Sequence, residues 1–121
     1  MELGTPGLGD AALIDTTFLF TDIEGSTSLW EIESQAMRLA LQRHNTLLSA
    51  AIERHGGLVF KTVGDAYCVT FDDAAAALRA ASQIQTGLAG EQWPTRSPLR
   101  VRIALHSGPA YLSGGDYFGR T

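Results

Sequence analysis

Residues 1–15 carry glycines and a proline but no apolar repeat, and read as a flexible lead-in to a domain occupying residues 16–121. Regular patterning begins with Thr16, Thr17, Phe18, Leu19 and Phe20, a β-rich run that predicts a strand over 16–22. The run meets Gly25-Ser26-Thr27, where Ser26 or Thr27 is placed to cap a helix and Glu31 falls in its early turns. Leu29, Ile32, Ala36, Leu39 or Ala40, Leu47 and Ala51 then recur at helical spacing. Met37, Leu41, Leu48 and Ile52 form a second stripe beside them, so one long helix with a broad buried face is expected. Gly56-Gly57 ends it by permitting left-handed backbone. Two short apolar runs around Gly64-Asp65 read as a hairpin over 58–71. An alanine-rich helix follows from Asp72 or Asp73 to Leu88, and Trp93-Pro94 with Pro98 marks a loop. Residues 99–106 alternate as a strand, and Gly114-Gly115 suggests a turn in a further hairpin.

Strand, helix, strand, strand, helix, strand is the order of an α+β, ferredoxin-like βαββαβ core, with an antiparallel sheet and helices on one face. A right-handed crossover makes the first two strands parallel and inserts the third between them. The carboxyl end of the first strand then adjoins the turn of the hairpin. Asp22 and Asp65, far apart in sequence, become predicted neighbours.

With 121 residues and 45% hydrophobic content, the chain can bury one core but hardly two. A net charge of −4 and a pI near 5.2 exclude nucleic acid as a main partner, which would need a basic face. Eight of the nine basic residues are arginines, so the single lysine, Lys61, stands out. Cys68 is the only cysteine; it precludes an internal disulfide and reads as a buried core thiol in a reducing compartment. No run approaches the roughly 20 apolar residues that span a bilayer, and the amino terminus lacks a signal pattern, so a cytoplasmic protein is expected.

Two adjacent carboxylates repel each other unless a cation lies between them. Hard oxygen ligands without a histidine pair favour magnesium or manganese over zinc. Backbone N–H groups at 25–27 suit the phosphates of a metal-bound polyphosphate. Each residue alone has a plainer reading. Asp22 fits a helix entry, Asp65 an ordinary turn, and Arg102 and Lys61 solvated strand positions. It is the pairing of Asp22 with Asp65 that favours a metal site. His106 reads as a hydrogen-bonding residue near a strand end, His44 and His55 as helix-surface residues, and Trp30 and Met37 as packing.

Phe20-Thr21-Asp22-Ile23-Glu24-Gly25-Ser26-Thr27, Lys61-Thr62-Val63-Gly64-Asp65-Ala66 and Arg102-Ile103-Ala104-Leu105-His106-Ser107-Gly108, in that order and spacing, resemble the class III nucleotidyl cyclases. The resemblance covers residues 16–121. It implies that Asp22 and Asp65 bind two Mg2+ or Mn2+ ions with help from the Ile23 carbonyl, and that Gly25, Ser26 and Thr27 cradle phosphate. It further implies that Arg102 binds the triphosphate, and that Lys61 and Asp116 read the base. An ammonium donating to N1 and a carboxylate accepting from the N6 amino group fit adenine, so the implied substrate is ATP and the products are cyclic AMP and pyrophosphate. Lys61 and Asp65 lie about 13 Å apart along extended chain. The family meets such a separation by pairing two domains head to tail, which implies a homodimer or pairing with another cyclase domain. Gly114-Gly115-Asp116-Tyr117-Phe118 is similar to a diguanylate cyclase signature but stands outside the hairpin turn where that signature belongs.

The sequence given ends at Thr121, before the Val-Asn-x-x-x-Arg segment that the family carries, and is expected to be an incomplete cyclase domain. Two functional readings stand: an adenylyl cyclase catalytic domain, and a catalytically silent nucleotide- or metal-binding module that pairs with a complete one.

Overall fold

The computed structural model describes residues 12–113 and 116–119, and the side chains of residues 15–109. Five strands, β1 (Ala12–Ile23), β2 (Leu58–Val63), β3 (Ala66–Phe71), β4 (Val101–Ser113) and β5 (Asp116–Gly119), form one sheet in the order β2-β3-β1-β4-β5. Every neighbouring pair is antiparallel. The first four strands reproduce the expected ferredoxin-like arrangement, and β5 extends the β4 edge as the expected further hairpin. β1 reaches back to Ala12 because β4 continues to Ser113 and supplies partners for its early residues, from Ala12 opposite Leu112 onward. The remainder of the expected lead-in lies outside the described residues.

The period of two along β1 decides which side is core. Leu19 and Ile23 are buried, and their register partners are Val69 on β3 and Val101 on β4. These residues pack with Met37, Ala40, Leu48, Ala51 and Ile52 of α2 (Ser34–Arg54) and with Ala77, Ala80, Ile84 and Leu88 of α3 (Ala74–Ala89). Both helices thus cover one face, and the alanines of α3 let it approach the sheet closely. No helix among the described residues is long and apolar enough to cross a membrane.

The expected single long helix is two. α1 (Ser26–Ile32) ends at Glu33, whose φ of −129° and ψ of 49° break the helix before α2 begins. The Glu33 carboxylate accepts the Arg96 backbone N–H at 2.9 Å, tying the break to the loop before β4. Neither Ser26 nor Thr27 caps α1. Gly25 occupies that position in the left-handed region at φ 68°, and no side chain closes the helix end. Asp73, by contrast, caps α3 by accepting the Ala76 N–H at 2.7 Å.

Gly56 leaves α2 at φ 76°, as its sequence position predicts. Gly57 is needed for a different reason: a Cβ there would lie 2.6 Å from Phe71 Cζ and 2.9 Å from Ile52 Cγ2. Gly64, at φ 59°, turns β2 into β3.

Two other expectations are corrected. His44 is a fully buried residue beneath the sheet, because it falls on the Met37–Ala40–Leu48–Ala51 stripe of α2 one turn after Ala40. Cys68 is partly exposed, since it pairs with Phe20 on the sheet face that the helices leave open. His55 does remain near the surface, where its Nε2 meets Gln83 Oε1 at 2.9 Å and links the end of α2 to α3.

Candidate active site

The open face of the sheet carries several of the candidate residues. Phe18, Phe20 and Asp22 point to it from β1, and Ala104 and Arg102 stand opposite Phe20 and Asp22 on β4. Phe18 stacks on Phe20 with ring centroids 5.8 Å apart and meets the edge of Phe60 at 6.0 Å, so aromatic rings cover this face where no helix does. His106 is exposed and stacks on Phe18. Between the rings and Asp22 lies a shallow depression of about 350 Å3, bordered by Phe20, Asp22, Ala66, Cys68, Arg102 and Ala104.

The backbones that carry Asp22 and Asp65 stand at the same end of the sheet. The β1–β3 ladder ends at Thr21 opposite Tyr67, which sets Asp22 beyond the last pair and Asp65 two residues before it in the adjoining turn. Strand spacing alone puts their backbones on the order of 6 Å apart. The Tyr67 N–H donates to Thr21 Oγ1 at 3.2 Å and locks this end of the ladder. Beneath it, the edge of the buried His44 ring faces Tyr67 at 5.9 Å. Burial holds the His44 pKa below its ordinary value, although the hydrogen bond with Asn45 and the charge of Asp65 both pull it upward. Its Nε2 is buried with no hydrogen-bond partner among the described residues.

Arg102 grips Asp22 in a planar fork. Nε donates to Oδ1 at 2.8 Å and a terminal nitrogen donates to Oδ2 at 3.0 Å. Donating hydrogen bonds to Asp22, and then the charge of that carboxylate, raise the Arg102 pKa above its ordinary value, so the guanidinium is a permanent cation. Both side chains stay accessible, Arg102 at 65% and Asp22 at 46% exposure. A carboxylate that holds a positive group on both oxygens is chemically suited to a divalent ion. Among the described residues no cluster of three or more His, Cys, Asp or Glu stands ready to hold a metal unaided. A pair of carboxylates suits Mg2+ or Mn2+, ions that complete their shells with water and phosphate oxygens.

Gly25 and Ser26 follow the β1 end after Glu24, and Gly25 O accepts the Leu29 N–H at 3.1 Å, which leaves the N–H groups of the first α1 turn without helical partners. Ile23 is a register partner of Val101, and Glu24 N–H donates to Arg100 O at 2.8 Å, so the turn after Asp22 is tied to β4.

Lys61 lies exposed on β2 opposite Cys68, after a bulge that skips Phe60. Two strand spacings separate it from β1, about 10 Å across the same face. Asp116 is placed by its backbone alone, opposite Ser113 at the start of β5; its side chain lies outside the described residues. The structure does not bring Lys61 and Asp116 together in one chain. They occupy opposite edges of the sheet, four strand spacings or about 19 Å apart. The two features that sequence reasoning missed are the Arg102–Asp22 fork and His44. A strand register would have revealed the first, and the helical stripe already contained the second.

Residues 12–115 match the pattern of the family described as Adenylate and Guanylate cyclase catalytic domain. An adenylate cyclase of Schizosaccharomyces pombe is 42% identical over 99 residues, covering 80% of this chain and 6% of that protein. An adenylate/guanylate cyclase/hydrolase from Silicibacter pomeroyi superposes with a TM-score of 0.78 at 32% identity, over 92% of this chain and 66% of that one. Adenylate cyclases from Trypanosoma brucei, solved in their monomeric state, superpose with a TM-score of 0.80 at 25% identity over 88% of this chain and 63% of that one. The chain therefore spans a small part of that curated relative and about two thirds of these structural ones.

Proposed function

Because this chain belongs to the adenylate and guanylate cyclase catalytic domain family, we propose that it supplies the catalytic surface of an adenylyl cyclase, converting ATP to 3',5'-cyclic AMP and pyrophosphate. The observation that supports this most directly is the pairing of Arg102 with Asp22 across β1 and β4, at the end of the sheet beside the turn that carries Asp65. In the reaction the ribose 3'-oxygen forms a bond to the α-phosphorus, the bond from that phosphorus to the bridging oxygen breaks, and the hydroxyl proton leaves to solvent or a phosphate oxygen. Two divalent cations, when bound, lower the pKa of that hydroxyl and offset charge on the departing pyrophosphate.

The residues of the chain bind and orient. Asp22 and Asp65, with the Ile23 carbonyl, would hold the cations. The backbone at Gly25, Ser26 and Thr27 receives phosphate oxygens, and the Arg102 guanidinium offers a fixed pair of donors to the triphosphate. Lys61 donates to adenine N1. For Asp116 the base-reading role rests on its sequence motif, since its backbone stands at the sheet edge away from Lys61.

Within one chain, Lys61 sits about 10 Å from the β1 strand that carries Asp22. The aromatic face that Lys61 shares with Asp22 is open to solvent at Phe20, which is 39% exposed. A second copy packed head to tail on this face would bring the base-reading strand of one chain to the metal carboxylates of the other. Calorimetry with Mn2+ and a non-cyclisable ATP analogue tests the site. Asp22→Asn and Asp65→Asn should each abolish metal-dependent nucleotide binding, and retention of binding in both would refute the assignment.

A further inference from the structure

The fork between Arg102 and Asp22 joins a residue read as a phosphate ligand to one read as a metal ligand. They are direct cross-strand partners on β1 and β4, so their proximity is built into the sheet register and does not depend on a loop. Both oxygens of Asp22 are taken. Each oxygen keeps a second lone pair, but a divalent cation placed on those oxygens would stand close to the guanidinium, and the repulsion between the two positive groups sets cation and fork against each other. Arg102 cannot step aside by losing its proton. It leaves the carboxylate for solvent in a minority of molecules, and more readily for another anion.

We propose that Arg102 is a surrogate cation on Asp22, and that its exchange from carboxylate to triphosphate makes this chain select the metal–triphosphate complex over the free metal ion. The inference rests on the metal-binding reading of Asp22 given above and adds a coupling to it. Phosphate oxygens draw the guanidinium off Asp22, and the vacated carboxylate then receives the cation. Metal and triphosphate therefore favour each other at this site, and the coupling runs equally in both directions. The pair is exposed on both sides, at 65% and 46%, so it can open without burying or unburying charge. Its accessible, bidentate geometry makes it a weak latch that a strong anion overcomes.

The expected size follows from the exposure. Solvated ion pairs shift their equilibrium modestly, and a forked one is closed on the order of two to five times more often than open. Free metal affinity is reduced by the fraction of molecules in which Asp22 is open. Mn2+ alone should consequently bind Arg102→Gln about three- to sixfold more tightly than the unaltered chain, and the gap should narrow in high salt as the pair is screened. Arg102→Lys, which offers a point charge in place of a fork, should fall between them.

The experiment is Mn2+ titration of the purified chain without nucleotide, read by the electron paramagnetic resonance of free ion. A companion NMR measurement follows the Arg102 Nε–H signal in metal-free buffer containing chelator. That signal should be slowed in exchange in the unaltered chain, lose its protection in Asp22→Asn, and shift when ATP is added without metal. Equal or weaker Mn2+ binding by Arg102→Gln, or a signal indifferent to both Asp22→Asn and ATP, would overturn the exchange. Asp22→Asn in the Arg102→Gln background separates the two levels of the argument. If it removes Mn2+ binding, the metal reading of Asp22 stands whatever Arg102 does. If it leaves binding unchanged, that reading and the exchange built on it both fall.

Discussion

His44 should give the domain a specific weakness in mild acid. The residue is completely buried, its Nε2 has no partner among the described residues, and burial lowers its pKa despite the opposing pull of the Asn45 hydrogen bond and the Asp65 charge. In the unfolded chain the same imidazole is solvated and titrates near its ordinary 6.5. Below that pH the unfolded state binds a proton that the folded state refuses. Stability contributed by neutral His44 is therefore fully present above pH 6.5 and declines as pH falls toward the lower folded pKa. Linkage limits the slope for one such group to about 1.4 kcal/mol per pH unit. His44→Phe keeps an aromatic ring against Tyr67 and removes both the titration and the unsatisfied nitrogen. It also forfeits the Asn45 hydrogen bond, a loss of about 1 kcal/mol at neutral pH. Urea unfolding followed by tryptophan fluorescence, at intervals from pH 8 down to about pH 5, gives the stability of both proteins. The difference between the two profiles isolates His44 from the carboxylates, which titrate in both. The prediction is a variant equal or slightly weaker at pH 7.5 that overtakes the unaltered protein by about 1 kcal/mol for each pH unit of acidification within the window. Parallel profiles would show that His44 accepts its proton in place, and the account of its burial would be wrong.

Three further outcomes are expected. Gly57→Ala should destabilise the fold by about 1–3 kcal/mol, seen as a fall in Tm on the order of 4–12 °C, because the added carbon meets Phe71 and Ile52 below van der Waals distance. Leu19→Ala should cost about 2–5 kcal/mol by denaturant titration, since its fully buried side chain lies at the centre of the layer between sheet and helices. In a form of the chain that shows cyclase activity, Lys61→Glu with Asp116→Cys should lower the ratio of cyclic AMP to cyclic GMP formed from equal ATP and GTP, because guanine presents the opposite donor and acceptor pattern. An unchanged ratio would remove the pair from base recognition.

The order of elements was legible in the residues because it depends on local periodicity. Period two along 16–22, helical stripes from Leu29 onward and glycines at 56, 57 and 64 specify strand, helix and hairpin without reference to the rest of the chain. Handedness then carried Asp22 and Asp65 to the same end of the sheet, since a right-handed crossover leaves few alternatives. That the two aspartates share one end of the sheet was therefore foreseeable. Tertiary structure decided what faces what. Whether Arg102 meets solvent or Asp22 depends on the register between strands 80 residues apart, and a slip of one position would have sent the two to opposite faces. Burial of His44 depends on the sheet that α2 packs under, because a histidine reads as polar until its face of the helix is covered. The separation of Lys61 from Asp116 follows from strand order, which places β2 and β5 at the two edges. A motif records which residues are kept at what spacing along the chain. It carries no distance across a sheet, and that distance is what the folded structure adds.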